Sequence, residues 1–299
     1  IVETIATTKD PFVHVEKFYI WWISYIGNNF FLYLLLLYLV SYSFIYYSFR
    51  LLHISNIILF LFVYVVFILY YSMSGRQFLF NAVFFTGMIL LAKRHWLSSL
   101  IIIFTSVFLH KIAYIAIPLL LICFLSLNRR LITIILCLFP IVAIIGNYFV
   151  DNYLNDIFLE INWLAGSNYL VKDSTVGGSL WWSVISFYHT LVKYLCSFYV
   201  LYHMRNIRSS VRKVDRIMYS MLFWCVYISL LFYAFNLPDK TIASRVSSLS
   251  LLPLCYLFSQ LPGFIYLKKE YKIIFFFVCL FYMLFNDVYI VGISHSLLH

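Results

Sequence analysis

Arg76, His110, Lys111 and Arg245 are the residues of this sequence whose types could do chemistry. Convergent guanidinium and ammonium donors suit an anionic ligand. For a chain embedded in lipid, the natural candidates are phosphate or diphosphate lipids. A histidine titrates near neutral pH, and neighbouring cations keep it neutral and available as a base. Each residue also has a plainer explanation. Long cationic side chains at the ends of apolar runs snorkel to headgroups. A lone histidine in an apolar helix packs and hydrogen-bonds, and Ser106, one turn earlier, offers a partner. Three cations together with a histidine are harder to explain as snorkelling than any one of them alone.

The element that must position most of these residues is the stretch from Ser72 to Lys111. It opens with Ser74-Gly75-Arg76-Gln77 and closes on His110-Lys111. Two short apolar runs, Phe78–Leu91 and Leu97–Leu109, are hinged at Lys93-Arg94. Each run, as helix, covers roughly 20 Å at ~1.5 Å per residue, whereas a hydrocarbon core is ~30 Å thick. With the hinge at one surface, Arg76 and His110-Lys111 are expected below the opposite one. Charged groups held there are costly and usually functional.

Composition defines the class. The 299 residues are 64% hydrophobic, 21% aromatic and only 11% charged, with a mean hydropathy of +0.95. No soluble domain of this size is so apolar. The runs are too long for the alternating strands of an outer-membrane barrel, so the expected fold is all-α, a polytopic transmembrane helical bundle. Six cysteines (Cys123, Cys137, Cys196, Cys225, Cys255 and Cys279) all lie in apolar runs without a CxxC pair or Cys/His cluster. They read as small core or lipid-facing residues, with no structural metal and no disulfide framework.

Residues 1–28 are polar and aromatic and read as a loop on the membrane interface, anchored by Trp21 and Trp22. Apolar runs at 29–48, 56–72, 78–91, 97–109, 112–127, 131–150, 180–202, 217–236, 247–262 and 273–292 predict about ten helices in a single transmembrane domain, 1–299. No internal repeat is evident. Alternate loops hold 13 Lys and Arg against two acids, and the opposite set holds seven against eight acids. The first set is expected to be cytoplasmic. The net charge of +10 is then a topology signal and not a sign of nucleic-acid binding. Residue 1 falls outside, and it is not Met, so an upstream helix is expected before it.

Weaker candidates follow. Gln77 and Asn81 share a helix face, where they could bind a sugar hydroxyl or tie two helices together. His189 and Lys193 lie one turn apart in an apolar run, either packed or facing a cavity. Asp287 has no assigned role. The longest outer loop, 151–179, is acidic and aromatic, with Tyr153, Trp163 and Tyr169. It is long enough to be a lid over a glycan, or it is an interfacial loop anchored by its aromatics.

The run GRQFLFNAVFFTGMILLAKRHWLSSLIIIFTSVFLHKIAYIAIPLLL resembles the EpsG family of Wzy-like polysaccharide polymerases. There an Arg and a Gln open a short helix, a basic turn follows, and a helix ends in a Phe-His-Lys or Phe-His-Ser-like step before another apolar span. Arg76, Gln77, His110 and Lys111 match that order, with Leu109 between Phe108 and His110 in this chain. Asp10-Pro11-Phe12 with Glu16 is similar to the family's acidic outer segment, and Ala243-Ser244-Arg245 to its later arginine.

The resemblance implies a GT-C-like membrane glycosyltransferase of the bacterial inner membrane, with its site facing outwards. It would polymerise polyprenyl-diphosphate-linked repeat units (O-antigen, capsule or exopolysaccharide) without metal, nucleotide sugar or other cofactor. It further implies that Arg76, Lys111 and Arg245 hold the diphosphate, that His110 takes or orients the hydroxyl proton, and that Asp10, Glu16, Gln77 and Trp163 contact sugars. Expected partners are the lipid-linked glycans, membrane lipid and a chain-length regulator. Two other classes remain open: a lipid-linked oligosaccharide flippase, which would also use the cations, and a membrane O-acyltransferase acting on surface glycan, which would also use a histidine.

Overall fold

A computed structural model describes residues 13–26, 29–54, 75–124, 127, 129–150, 152, 180–204, 212–235 and 241–261. Among these residues the chain is helical, without a strand. In chain order the helices are α1 (Val13–Tyr25), α2 (Phe30–Leu52), α3 (Gly75–Ala92), α4 (Trp96–Ser106), α5 (Ala113–Cys123), α6 (Arg129–Phe149), α7 (Leu180–Met204), α8 (Lys213–Ala234), α9 (Thr241–Ser248) and α10 (Leu251–Ser259). Stretches Phe31–Leu52, Arg130–Phe149 and Lys213–Ala234 are long and apolar enough to cross a bilayer. Helix is what such runs must form in lipid, because it satisfies every backbone group within the segment.

The elements differ from the apolar runs at three places. The segment expected as an interfacial loop includes helix α1, whose Tyr19 is fully buried while Trp21 stays exposed. α3 has 18 residues, not 14, because the polar Gly75-Arg76-Gln77 step continues the helix. At ~1.5 Å per residue that is about 27 Å, close to a full bilayer core. The 247–262 run is not one helix: it is interrupted at Leu249-Ser250, where α9 ends and α10 begins. The runs 56–72 and 273–292 and nearly all of the 151–179 loop lie outside the described residues.

α3 is the centre of the bundle. Phe78, Leu79, Phe80, Ala82, Val83, Phe84, Phe85, Met88 and Ile89 are each at most 3% exposed, and they occupy every side of the helix. A helix apolar all round belongs inside. α2 packs parallel to it: Tyr42 meets Phe78, Ser48 hydrogen-bonds Thr86 at 2.8 Å, and Lys93 donates to the Leu51 carbonyl. α4 runs back antiparallel after a tight turn. Arg94, at φ 68°, occupies the left-handed position of that turn; the amides of His95 and Arg94 reach the Leu90 and Leu91 carbonyls at 2.9 and 3.1 Å. This is a Schellman closure, in which glycine would be the usual occupant.

The far end of α3 is tied by a polar knot. Arg212 donates to the Leu52 carbonyl, to the Tyr256 hydroxyl and to Asp215, and Tyr256 donates to Asp215 as well. α8, α10 and the end of α2 are thereby fixed together. Lys93, Arg94, Arg212 and Lys213 therefore share one end of the bundle, and Arg76, His110 and Arg245 gather at the other.

Candidate functional site

The first two turns of α3 connect three separate parts of the chain. Arg76 stacks its guanidinium over the Tyr19 ring of α1, 4.6 Å from the centroid. The Tyr19 hydroxyl in turn donates to the Leu109 carbonyl at 2.9 Å, next to His110. Gln77, one residue on, is 6% exposed. Its amide donates to the Arg245 carbonyl at 3.2 Å and to the Ser248 hydroxyl, both on α9. Phe80, one turn further in, lies against the His110 ring at a centroid distance of 6.1 Å. One short helix segment therefore gathers Arg76, His110 and Arg245, which are up to 169 positions apart in the chain.

Both remaining pieces of the site sit where a helix is interrupted. α4 ends at Ser106, the chain passes through tight turns at residues 107–112, and α5 begins at Ala113. His110 and Lys111 occupy this break. On the other side, α9 gives way to α10 at Leu249-Ser250, with the Ser250 amide bonded to the Ser247 carbonyl at 3.2 Å. Interrupted helices in membrane proteins survive where protein or a cavity covers the freed backbone, and that is where such proteins place binding groups.

The His110 ring retains some open surface, yet protein encloses most of it. Its Nδ1 accepts the Ile112 amide at 3.1 Å. Burial, then the charges of Arg245, Arg76 and Lys111, push its pKa from an ordinary 6.5 down to about 3. The imidazole is therefore neutral throughout the physiological range, as expected for a histidine placed among cations.

Of the other candidate residues, Lys193 is 2% exposed and donates to the Ser247 hydroxyl of α9, with its ammonium 5.2 Å from the Tyr194 ring. It ties α7 to the helix that carries Arg245. Asn81 reaches Ser248 through long contacts of 3.5 Å, and its buried Oδ1 has no partner among the described residues. Asp10, Trp163 and Asp287 lie outside the described residues, as do the side chains of Glu16 and His189. Among the described residues no three His, Cys, Asp or Glu side chains group as metal ligands would.

Tyr19, Phe80 and Ser248 connect the site, and sequence reasoning passed over them. Tyr19 belongs to an aromatic cluster that also reads as an interface anchor, and Phe80 is one of 31 phenylalanines. Only the spacing Arg76–Phe80, one helical turn, carried a signal.

The tie from Gln77 to α9 makes a direct prediction. A double-mutant cycle between Gln77→Leu and Ser248→Ala should return a coupling of about 0.6–1.7 kcal/mol in thermal unfolding in detergent. Coupling near zero would mean that this bond does not hold Arg245 in place.

The arrangement can hold an anion. Arg76 and Arg245 supply planar donor forks and Lys111 a point charge; no acidic residue occupies the first turn of α3 or of α9. A phosphate or diphosphate group suits that set. Comparison with known families finds a match to the EpsG family model over residues 1–298. No curated protein and no solved structure matches the chain.

Proposed function

The chain belongs to the EpsG family of membrane proteins of polysaccharide biosynthesis, and from that premise we propose that it polymerises lipid-linked glycan repeat units. The donor is a polyprenyl-diphosphate-linked glycan, and the acceptor is a hydroxyl of the next lipid-linked repeat unit. The observation that carries this reading is the convergence of Arg76, Lys111 and Arg245 around His110 at one end of the bundle. The diphosphate is both what anchors the donor and what leaves in the reaction. Cations that grip it also stabilise the charge growing on it as the glycosidic bond breaks. Asp10, Glu16 and Trp163 are the proposed sugar contacts, on the outer face of the bacterial inner membrane. Docking of a chain-length regulator belongs to the same proposal.

Glycan laddering tests it. Cells lacking the native gene, complemented with the wild-type gene, are expected to recover a ladder of lengthened glycans on one carrier. If repeat units instead change sidedness without lengthening, the protein is a flippase. If they gain acyl mass without new glycosidic bonds, it is an O-acyltransferase.

A further inference from the structure

Resting on the polymerase reading, we propose that His110 is a fixed hydrogen-bond donor to the diphosphate through Nε2–H, and not the base that deprotonates the attacking hydroxyl. The first amides of a helix such as α5 have no partner within the helix. Ile112 N–H, just ahead of Ala113, is satisfied by His110 Nδ1 at 3.1 Å. A neutral imidazole carries one proton, and a nitrogen that accepts a hydrogen bond does not hold it. The proton is therefore on Nε2. A base needs a lone pair facing the substrate, but the one lone pair in this ring is turned into the chain's own backbone.

Surrounding charge points the same way. The groups around the ring are Arg76 from α3, Arg245 from α9 and Lys111 beside it, with Tyr19 of α1 bonded to the preceding carbonyl. A further positive charge on the imidazole is repelled by all three cations. Burial and these cations keep the ring neutral down to about pH 3, so taking a proton in the reaction would be costly. A neutral N–H donor can still bond a phosphate oxygen without adding to that repulsion.

The reaction balances without a histidine base. The acceptor oxygen forms its bond to the anomeric carbon, and the bond from that carbon to the phosphate oxygen breaks. Its electron pair departs with the diphosphate. The hydroxyl proton passes to the leaving diphosphate, because a phosphate group takes up a proton near pH 6. His110 keeps its own proton throughout and shares it with the diphosphate in a hydrogen bond.

Three substitutions separate the roles open to this residue. Glutamine places an amide N–H near the position of Nε2, asparagine places an acceptor near that of Nδ1, and alanine supplies neither. Membranes carrying each variant at equal level are supplied with the lipid-linked repeat unit that accumulates in cells lacking the gene. His110→Gln is expected to polymerise within about tenfold of wild type, and His110→Ala and His110→Asn to fall about a hundredfold or more. Wild-type rate should show no limb from a histidine between about pH 5.5 and 8. Loss in glutamine and asparagine alike, with a wild-type limb near pH 6–7, would overturn the proposal in favour of a base. Rescue by asparagine alone would overturn it in favour of a helix cap. Binding of a polyprenyl diphosphate by the purified protein provides a readout that needs no turnover. His110→Gln should bind within about threefold of wild type, and His110→Ala about tenfold more weakly. Failure of wild type to lengthen glycans overturns the polymerase reading, and the binding series still decides the donor.

Discussion

Arg76→Ala and Arg245→Ala should each reduce a ladder of lengthened glycans to a single repeat unit, with the variant present in the membrane at wild-type level. Removing one preorganised donor from a site where charge develops costs about 10²–10³ in rate. Each arginine is placed by the fold, which is why the loss should exceed that of an ordinary surface charge. Arg76 is held over the Tyr19 ring, and Arg245 lies on a helix whose backbone Gln77 grips. Lysine at either position keeps the charge but loses the planar fork, so Arg76→Lys and Arg245→Lys should recover only part of the activity. The stacking contact itself contributes about 0.5–2 kcal/mol, too little to unfold a bundle of this size. Membrane level by blot and ladder length by gel check the prediction together. Normal ladders from both alanine variants would remove the basic cluster from the mechanism.

Gly87→Leu should be strongly damaging, because it forces a side chain into the closest approach of α3 and α4. α3 and α4 approach so closely here that a β-carbon on residue 87 would meet Ile103 Cγ1 at 2.7 Å and Ile102 Cγ2 at 3.3 Å. Both are β-branched side chains with little rotamer freedom to yield. The same glycine's carbonyl accepts the Ser99 hydroxyl at 2.8 Å, so the two helices cannot separate without losing that bond. Overpacking of this kind costs about 1–3 kcal/mol. It would also push α4 outward, and with it the turn that carries His110. A misplacement of about 1 Å at a group that positions the substrate can cost about a hundredfold in rate. Gly87→Ala should be milder, since alanine recovers about 1 kcal/mol of helix propensity against a smaller clash. Thermal unfolding in detergent, followed by size-exclusion chromatography, reads the difference. A leucine variant as stable and as active as wild type would mean that the helices do not approach this closely.

Much of the architecture is legible from local chemistry. The hinge at Lys93-Arg94 is visible because two cations interrupt an apolar run, and the turn forms there. Arg76 and His110 reach the same end of the bundle because two helices joined by a short turn must run antiparallel. Gln77 and Asn81 share a face by periodicity alone, and both turn towards Ser248. Other features are not readable in this way. The break between α9 and α10 falls within Ser247-Ser248-Leu249-Ser250, where the one local mark is Pro253 in the first turn of α10, which has no amide to donate to the Leu249 carbonyl. α1 looks like a polar, aromatic loop until Tyr19 is seen buried between α3 and the Leu109 carbonyl.

The sequence by itself determined that this is a helical membrane protein, which loops carry like charge, and which cations fall at the ends of apolar runs. These follow from interactions that scale with composition and short spacing: burial of apolar surface, the helical period and the charge bias of loops. Tertiary structure decided that Arg245 meets Arg76 and His110, that Gln77 serves α9, and that the lone pair of His110 is spent on its own backbone. Each of these depends on which helices touch and at what register. A bond such as Gln77 to Arg245, across 168 positions, leaves no trace in the local pattern of either partner.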